Sequence, residues 1–257
     1  MDENKIKNIV KFDNCMCINS NGRDLFFLQD NSIDCIITDH PWDSPMNRGG
    51  NRHFAEYECF TYTIEDFREK YRVLKNGCFL VENIPEENAS NYEYLYQIKK
   101  MATDAGFEYY SKVPWIKGNF VSNTGRKAKN SEDLMIFTKG KARALKIDVK
   151  KTKTSGETHY MSGTNGMLPT CINVPPVSKA DIIAQSEKPY KLYEELIPYI
   201  TLENEVILDQ FAGSGSVAEA CINTNRRCML VESNEDLFNK IVNRINNALI
   251  KNNQETN

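Results

Sequence analysis

The chain is expected to fold as a single α/β domain, and three features of its 257 residues predict this. Segments with helical spacing of apolar residues alternate with short, β-branched apolar runs, the pattern of helices packed on a buried sheet. One such run, residues 35–37, stops at Asp39-His40-Pro41-Trp42. That sets a carboxylate at the carboxyl end of a strand, where open α/β sheets bind ligands. Near the C-terminus, a strand, a glycine loop, a helix and a second strand ending in Glu232 follow one another, the βαβ arrangement that holds a nucleotide-like cofactor.

The elements are justified in chain order. Residues 1–10 are polar and expected to fray. Residues 15–18 read as a first strand, Asn19-Ser20-Asn21-Gly22 as its turn, and 24–28 as a short helical turn leading into the strand at 35–37. Residues 43–58 show no periodicity and carry Pro45, Gly49 and Gly50, so a long loop follows the strand end. Phe67, Tyr71 and Leu74 give residues 64–74 helical spacing, and Lys75-Asn76-Gly77 is expected to end that helix before a strand at 78–81. Residues 92–105 form the next helix, closed by Gly106. Residues 107–115 form a strand that pairs with 134–138 across a polar, basic connection at 117–130.

Residues 139–177 have no convincing period and read as an insertion lying over the cleft. Helical spacing returns over 181–200 through Ile182, Tyr190, Tyr193, Leu196 and Ile197, with Lys188-Pro189 at or near the start of the helix. Then come a strand at 206–208, the glycine loop 209–216, a helix at 217–223, a strand at 228–231 and a closing helix at 236–251, with a disordered tail after it. The sequence contains no internal repeat.

Eight cysteines form no CxxC pair and sit mostly in apolar runs, and the first residues lack the build of a signal peptide, so reduced thiols and a cytoplasmic protein are expected. His40, His53 and His159 have no ligand spacing, so no metal is expected. No apolar run approaches the ~20 residues that span a bilayer, so a membrane is not an expected partner. The net charge of −3 is unevenly spread: residues 1–110 carry 12 Lys+Arg against 19 Asp+Glu, residues 111–153 carry 12 against 3, and residues 154–257 carry 8 against 13. A compact basic segment in an acidic chain is the footprint of a surface that follows phosphates. Lys117, Arg126, Lys127 and Lys129 in that segment, with Arg48 and Arg52 in the loop after the strand end, are the candidate contacts.

The tetrad at 39–42 and the loop at 209–216 carry the chemistry. A carboxylate beside a flat aromatic suits a planar, hydrogen-bonding ligand such as a nucleobase. Asp39 and the His40 carbonyl could accept both hydrogens of an exocyclic amine while Trp42 stacks on the ring, and such stacking is worth roughly 1–3 kcal/mol per base. In the second constellation, Gly213 and Gly215 let the backbone approach a ligand, and Glu232 can accept from two ribose hydroxyls. A nicotinamide dinucleotide would use similar geometry, but the loop is GxG and lacks the third glycine that favours a pyrophosphate. Asp209 would repel phosphate and suit an amino cation. A cofactor with an amino-acid end, an adenosine and no phosphate meets these conditions, and S-adenosyl-L-methionine is one.

With Asp39-His40-Pro41-Trp42 early, Ser186-Glu187-Lys188-Pro189 followed by Leu192 and Leu196-Ile197, and 209–216 late, the chain resembles the β class of amino-directed DNA methyltransferases. Leu74-Lys75-Asn76-Gly77, Trp115-Ile116-Lys117, Ser131-Glu132 and Phe137-Thr138-Lys139-Gly140 are similar to further family segments. The resemblance implies a Rossmann-like class I methyltransferase fold: a seven-stranded, mostly parallel sheet with an antiparallel last hairpin, in permuted order with the catalytic half before the cofactor half.

It also implies methyl transfer from S-adenosyl-L-methionine to a base flipped out of double-stranded DNA, in a bacterial or phage setting, by a chain that can pair as a homodimer. Asp39, His40, Pro41 and Trp42 would hold the target amine and base. Asp209, Phe211, Gly213, Ser214, Gly215 and Glu232 would line the cofactor, and Ser186 and Lys188 would approach its methionine end. Residues of about 140–178 would form the target-recognition region of a single catalytic domain, 1–257. Asp at the head of the tetrad points to adenine N6. Cytosine N4, RNA adenine and a catalytically inactive DNA-binding relative are the alternatives. His40 stands where the family tetrad carries its first Pro, an exchange that keeps the carbonyl and gives up the ring's rigidity.

Overall fold

The computed structural model describes residues 6–41, 59–118, 130–145, 150–152, 155–156, 158–160 and 168–255. Trp42, Arg48, Arg52, Arg126, Lys127 and Lys129 lie outside the described residues, as do the loop at 43–58 and, within the segment at 140–178, residues 146–149, 153–154, 157 and 161–167. The strands are β1 (Asn8–Lys11), β2 (Cys15–Asn19), β3 (Ile33–Thr38), β4 (Leu74–Pro85), β5 (Phe107–Ile116), β6 (Ser131–Lys139), β7 (Lys150–Thr152), β8 (Thr158–Tyr160), β9 (Ile172–Asn173), β10 (Val206–Asp209) and β11 (Arg227–Glu232). The helices are α1 (Ile64–Val73), α2 (Tyr92–Asp104), α3 (Tyr190–Ile200), α4 (Ser216–Asn223) and α5 (Glu235–Glu255).

The main sheet has the order β1-β2-β11-β10-β3-β4-β6-β5-β9. From β2 to β4 every pairing is parallel, and β6 runs antiparallel to both β4 and β5. All six residues of β3 are buried, as expected of a parallel strand covered on both faces. Its side chains alternate: Cys35 and Ile37 face a cluster with Leu192, Leu196, Val217, Phe238 and Ile241. Ile36 faces the other way, with Phe67, Leu95 and Ile98. Helices α3, α4 and α5 therefore cover one face and α1 and α2 the other, a three-layer α/β/α sandwich.

The structure corrects several expectations. Among the described residues the main sheet has nine strands rather than seven. The central seven have the expected parallel run and antiparallel hairpin; β1 and β9 add an edge on each side. Residues 8–11 are strand, not frayed chain, because Ile9 and Val10 pair with Ile18 and Cys17. Residues 24–28 form turns closed by Asp24 N–H to Asn21 and Leu28 N–H to Leu25, without a helix. Residues 75–77 are not a linker: α1 passes directly into β4, where Gly77 takes φ +76. In the stretch at 139–177, β7 pairs with β8, and β9 joins the main sheet beside β5. Residues 181–189 are not helical. Pro189 disfavours helix in the residue before it and serves as the N-cap, so α3 starts at Tyr190. At the other end α5 continues past residue 251 to Glu255.

Candidate active site

Two strand ends build the site. β10 lies beside β3 in parallel, with Ile207 opposite Cys35 and Leu208 opposite Ile36, so the residues after each strand emerge at the same sheet edge. Asp39 and Asp209, 170 positions apart in sequence (209 − 39), thereby come close enough for the Asp39 charge to act on Asp209.

Asp209 is buried, and its Oδ1 accepts the Phe211 N–H at 3.2 Å. Burial pushes its carboxyl up to about 8, the nearby Asp39 and Glu232 charges push the same way, and the Phe211 amide opposes them. The loop beyond it is held by the end of β11. Glu232 Oε2 accepts the Gly213 N–H at 2.9 Å, and its Oε1 accepts the Asn234 N–H at 2.7 Å. An ionised carboxylate has about four acceptor sites, so Glu232 keeps capacity for hydroxyl donors. Gly215 caps α4 at φ +77, a left-handed conformation that side chains adopt with strain, and a Cβ there would sit 3.2 Å from Ile241. Gly22 is packed tighter still: a Cβ would lie 1.8 Å from the Gln210 carbonyl oxygen.

The stretch before α3 closes a third side. Ser186 takes φ +62, and the Lys188 carbonyl accepts from Ser216 Oγ at 2.6 Å, which ties this stretch to the glycine loop through Ser214 and Ser216. Arg244 of α5 clamps the same two parts, donating to Glu187, Glu219 and the Ser214 carbonyl. The Lys188 ammonium then turns inward. It donates to Asp39 Oδ2 at 2.8 Å and lies 3.3 Å from Glu132 Oε2, while Lys117 pairs with the other Glu132 oxygen. Burial pushes Lys188 down, but Asp39 and Glu132 outweigh it and hold the ammonium above its usual value. Burial also pushes Glu132 up, yet Lys188 and Lys117 prevail and keep that carboxyl low. For Asp39 burial wins over Lys188, and its carboxyl stays raised.

Behind the tetrad lies a buried polar cluster. The His40 ring stacks on Tyr62, with centroids 3.9 Å apart, and its Nε2 is 2.9 Å from the Tyr94 hydroxyl. Burial, with Lys70 and Arg23 nearby, pushes the imidazole far below its usual value, so it is neutral. Phe211 packs against Phe60, with centroids 5.2 Å apart, next to that cluster.

The sequence-predicted residues Asp39, His40, Pro41, Ser186, Lys188, Asp209, Phe211, Gly213, Ser214, Gly215 and Glu232 thus gather at one edge of the sheet. Lys117 joins them through Glu132, its side chain 17% exposed. Glu132 stood in a family-like segment, but its pairing with Lys188 carries no local signal. Tyr62, Tyr94 and Arg244 were missed for the same reason: their partners are far away in sequence.

A family model described as DNA methylase matches residues 33–243. The chain is 26% identical over 219 residues to Type II methyltransferase M.HpaI of Haemophilus parainfluenzae, covering 81% of this chain and 67% of that relative. It is 23% identical over 219 residues to Type II methyltransferase M.BglII of Bacillus subtilis, covering 79% and 60%. The chain therefore spans about two thirds of the length of these relatives or less. Among solved structures, it superposes on the M1.HpyAVI–SAM complex with a TM-score of 0.60 at 19% identity, covering 90% of this chain and 99% of the other.

Proposed function

The chain belongs to the DNA methylase family, whose model spans most of its length, and from that premise we propose that it methylates the N6 amine of adenine in double-stranded DNA. The single observation that carries the reading is the meeting of the Asp39 and Asp209 strand ends at one sheet edge. One end suits an amine acceptor and the other a cofactor.

The residues present fit S-adenosylmethionine. Asp209, once ionised, complements an α-amino cation, Glu232 offers acceptor capacity to a ribose, and Gly213, where a Cβ would meet only the Phe211 carbonyl oxygen at 3.9 Å, leaves open space beside the loop, while Gly215 lets the loop pack on Ile241. When bound, that cofactor supplies a methyl group on a sulfonium. Asp39 and the His40 carbonyl accept the two amine hydrogens of the flipped adenine, which localises the nitrogen lone pair toward the methyl group. Asp39 then takes the proton that leaves the nitrogen, a role suited by a carboxyl that burial has raised. Lys188 stabilises the ionised Asp39 before the base arrives and retains Glu132 as a second partner when Asp39 turns to the amine. Pro41 and Trp42 shape the base pocket.

In this reading residues 1–257 are one catalytic domain in permuted order, and residues of about 140–178 choose the target site. Arg48, Arg52, Arg126, Lys127 and Lys129 meet phosphates, whereas Lys117, expected among them, is turned inward onto Glu132, and the chain works as a homodimer in a bacterial restriction-modification setting. Asp rather than Ser at residue 39 favours adenine N6 over cytosine N4. Sequencing with modification detection tests the reading, on DNA from cells expressing the chain and from cells expressing Asp39→Ala. A recurrent N6-methyladenine motif present only with the unaltered chain is expected; methylated cytosine, or no motif, overturns it.

A further inference from the structure

The strand β3 ends at Thr38, and among the described residues no sheet ladder of β3 extends to Asp39. Besides the Lys188 ammonium on Asp39 Oδ2, two ties hold the chain around it. Phe60 N–H donates to the Pro41 carbonyl at 3.1 Å, and the His40 side chain, 1% exposed, reaches inward to Tyr62 and Tyr94. These tyrosines are themselves pinned. The Tyr94 hydroxyl, carried by α2, accepts the Tyr62 N–H at 3.0 Å as well as bonding His40. The Tyr62 hydroxyl donates to Glu82 Oε2 at 3.0 Å, and Glu82 Oε1 takes the Lys70 ammonium. His40 thus rests on a platform anchored to α1, α2 and β4.

We infer that the His40 side chain is a positioning group: held by stacking on Tyr62 and by the hydrogen bond to Tyr94, it fixes where its own carbonyl and the Asp39 carboxylate face the target amine. The inference rests on the methyl-transfer reading given above. It assigns a role to a residue that departs from the family tetrad, and it extends the site to α2, which bears no residue expected to touch substrate. The ring itself moves no proton. It is surrounded by Arg23, Lys70, Asp66, Glu82, Tyr62 and Tyr94, and the two cations nearest to it disfavour a third.

The test compares the full chain with its His40→Ala, His40→Phe, Tyr94→Phe and His40→Ala/Tyr94→Phe variants. Methyl transfer from labelled S-adenosylmethionine to duplex DNA gives kcat and KM, calorimetry gives cofactor affinity, and a pH series gives the rate profile. Expected is a fall in kcat of roughly ten- to a hundredfold for His40→Ala and Tyr94→Phe, the scale for a displaced group in an assembled site, with cofactor affinity unchanged. The double variant should be little worse than the poorer single one, because both cut the same tie. His40→Phe keeps the stack and loses the hydrogen bond, so it should recover part of the His40→Ala loss and keep the wild-type pH limbs.

Losses that multiply in the double variant would overturn the inference, as would a loss confined to cofactor affinity or a rate limb that vanishes in His40→Phe. Should His40→Ala fail to fold, Tyr94→Phe and His40→Phe carry the same comparison. An unaltered chain inactive on every nucleic acid refutes the methyltransferase reading instead, whereas an active chain with independent losses refutes only the role of His40.

Discussion

Replacing Asp209 with Asn should make the ligand-free protein more stable at alkaline pH while depriving it of its cofactor. In the folded chain the buried carboxyl titrates at about 8, against an ordinary 3.8. Between those values the native state holds a proton that the unfolded chain has already lost, so stability falls as pH rises through this window and reaches its floor above about 8. At about 1.4 kcal/mol per unit, the two units from about pH 6 to 8 are worth roughly 3 kcal/mol. Asn keeps the side-chain oxygen that accepts the Phe211 amide and has no proton to lose. Urea unfolding of both proteins at about pH 6 and about pH 9 should therefore show the variant's advantage growing by roughly 3 kcal/mol. Calorimetry with S-adenosylmethionine should show proton release on binding to the unaltered chain and greatly weakened binding to the variant. An advantage that does not grow with pH would refute the account of Asp209 as a carboxylate stored protonated by burial.

Lys188→Met removes the cation that lowers Asp39, so the acid limb of kcat/KM should move to higher pH; an unmoved limb would separate Asp39 from the proton step. Gly22→Ala places a Cβ 1.8 Å from the Gln210 carbonyl and should cost more than about 2 kcal/mol of stability, read as a lowered Tm. Lys70 and Glu82 are both fully buried, and Lys70→Met alone should cost roughly 3–5 kcal/mol by stranding Glu82, whereas adding Glu82→Gln should return part of it in urea unfolding.

The parts of the fold legible in the sequence were those with a local signature. The buried run 35–37, the GxG loop and the acid at the end of β11 each declare themselves within one element, and their shared sheet edge follows from parallel α/β topology. The four-residue β1 and the two-residue β9 are too short for a period to emerge, and only pairing with neighbours defines them. Helical spacing over 181–189 proved misleading because Ser186 takes a left-handed backbone and the Glu187 carboxylate serves Ile183 and Arg244. Lys188 meets Asp39 across 149 positions and His40 meets Tyr94 across 54, and no pattern in one sequence encodes such pairs. Trp42 and five of the six basic residues expected at phosphates lie outside the described residues.

The central claim is that the Asp39 end presents a base amine to a donor held at the Asp209 end. Nucleoside analysis of duplex DNA after incubation with methyl-labelled S-adenosylmethionine tests it most directly. The account predicts label in N6-methyladenine with the unaltered chain, and none with Asp39→Ala although that variant still binds the cofactor. Full labelling by the Asp39→Ala protein would contradict it.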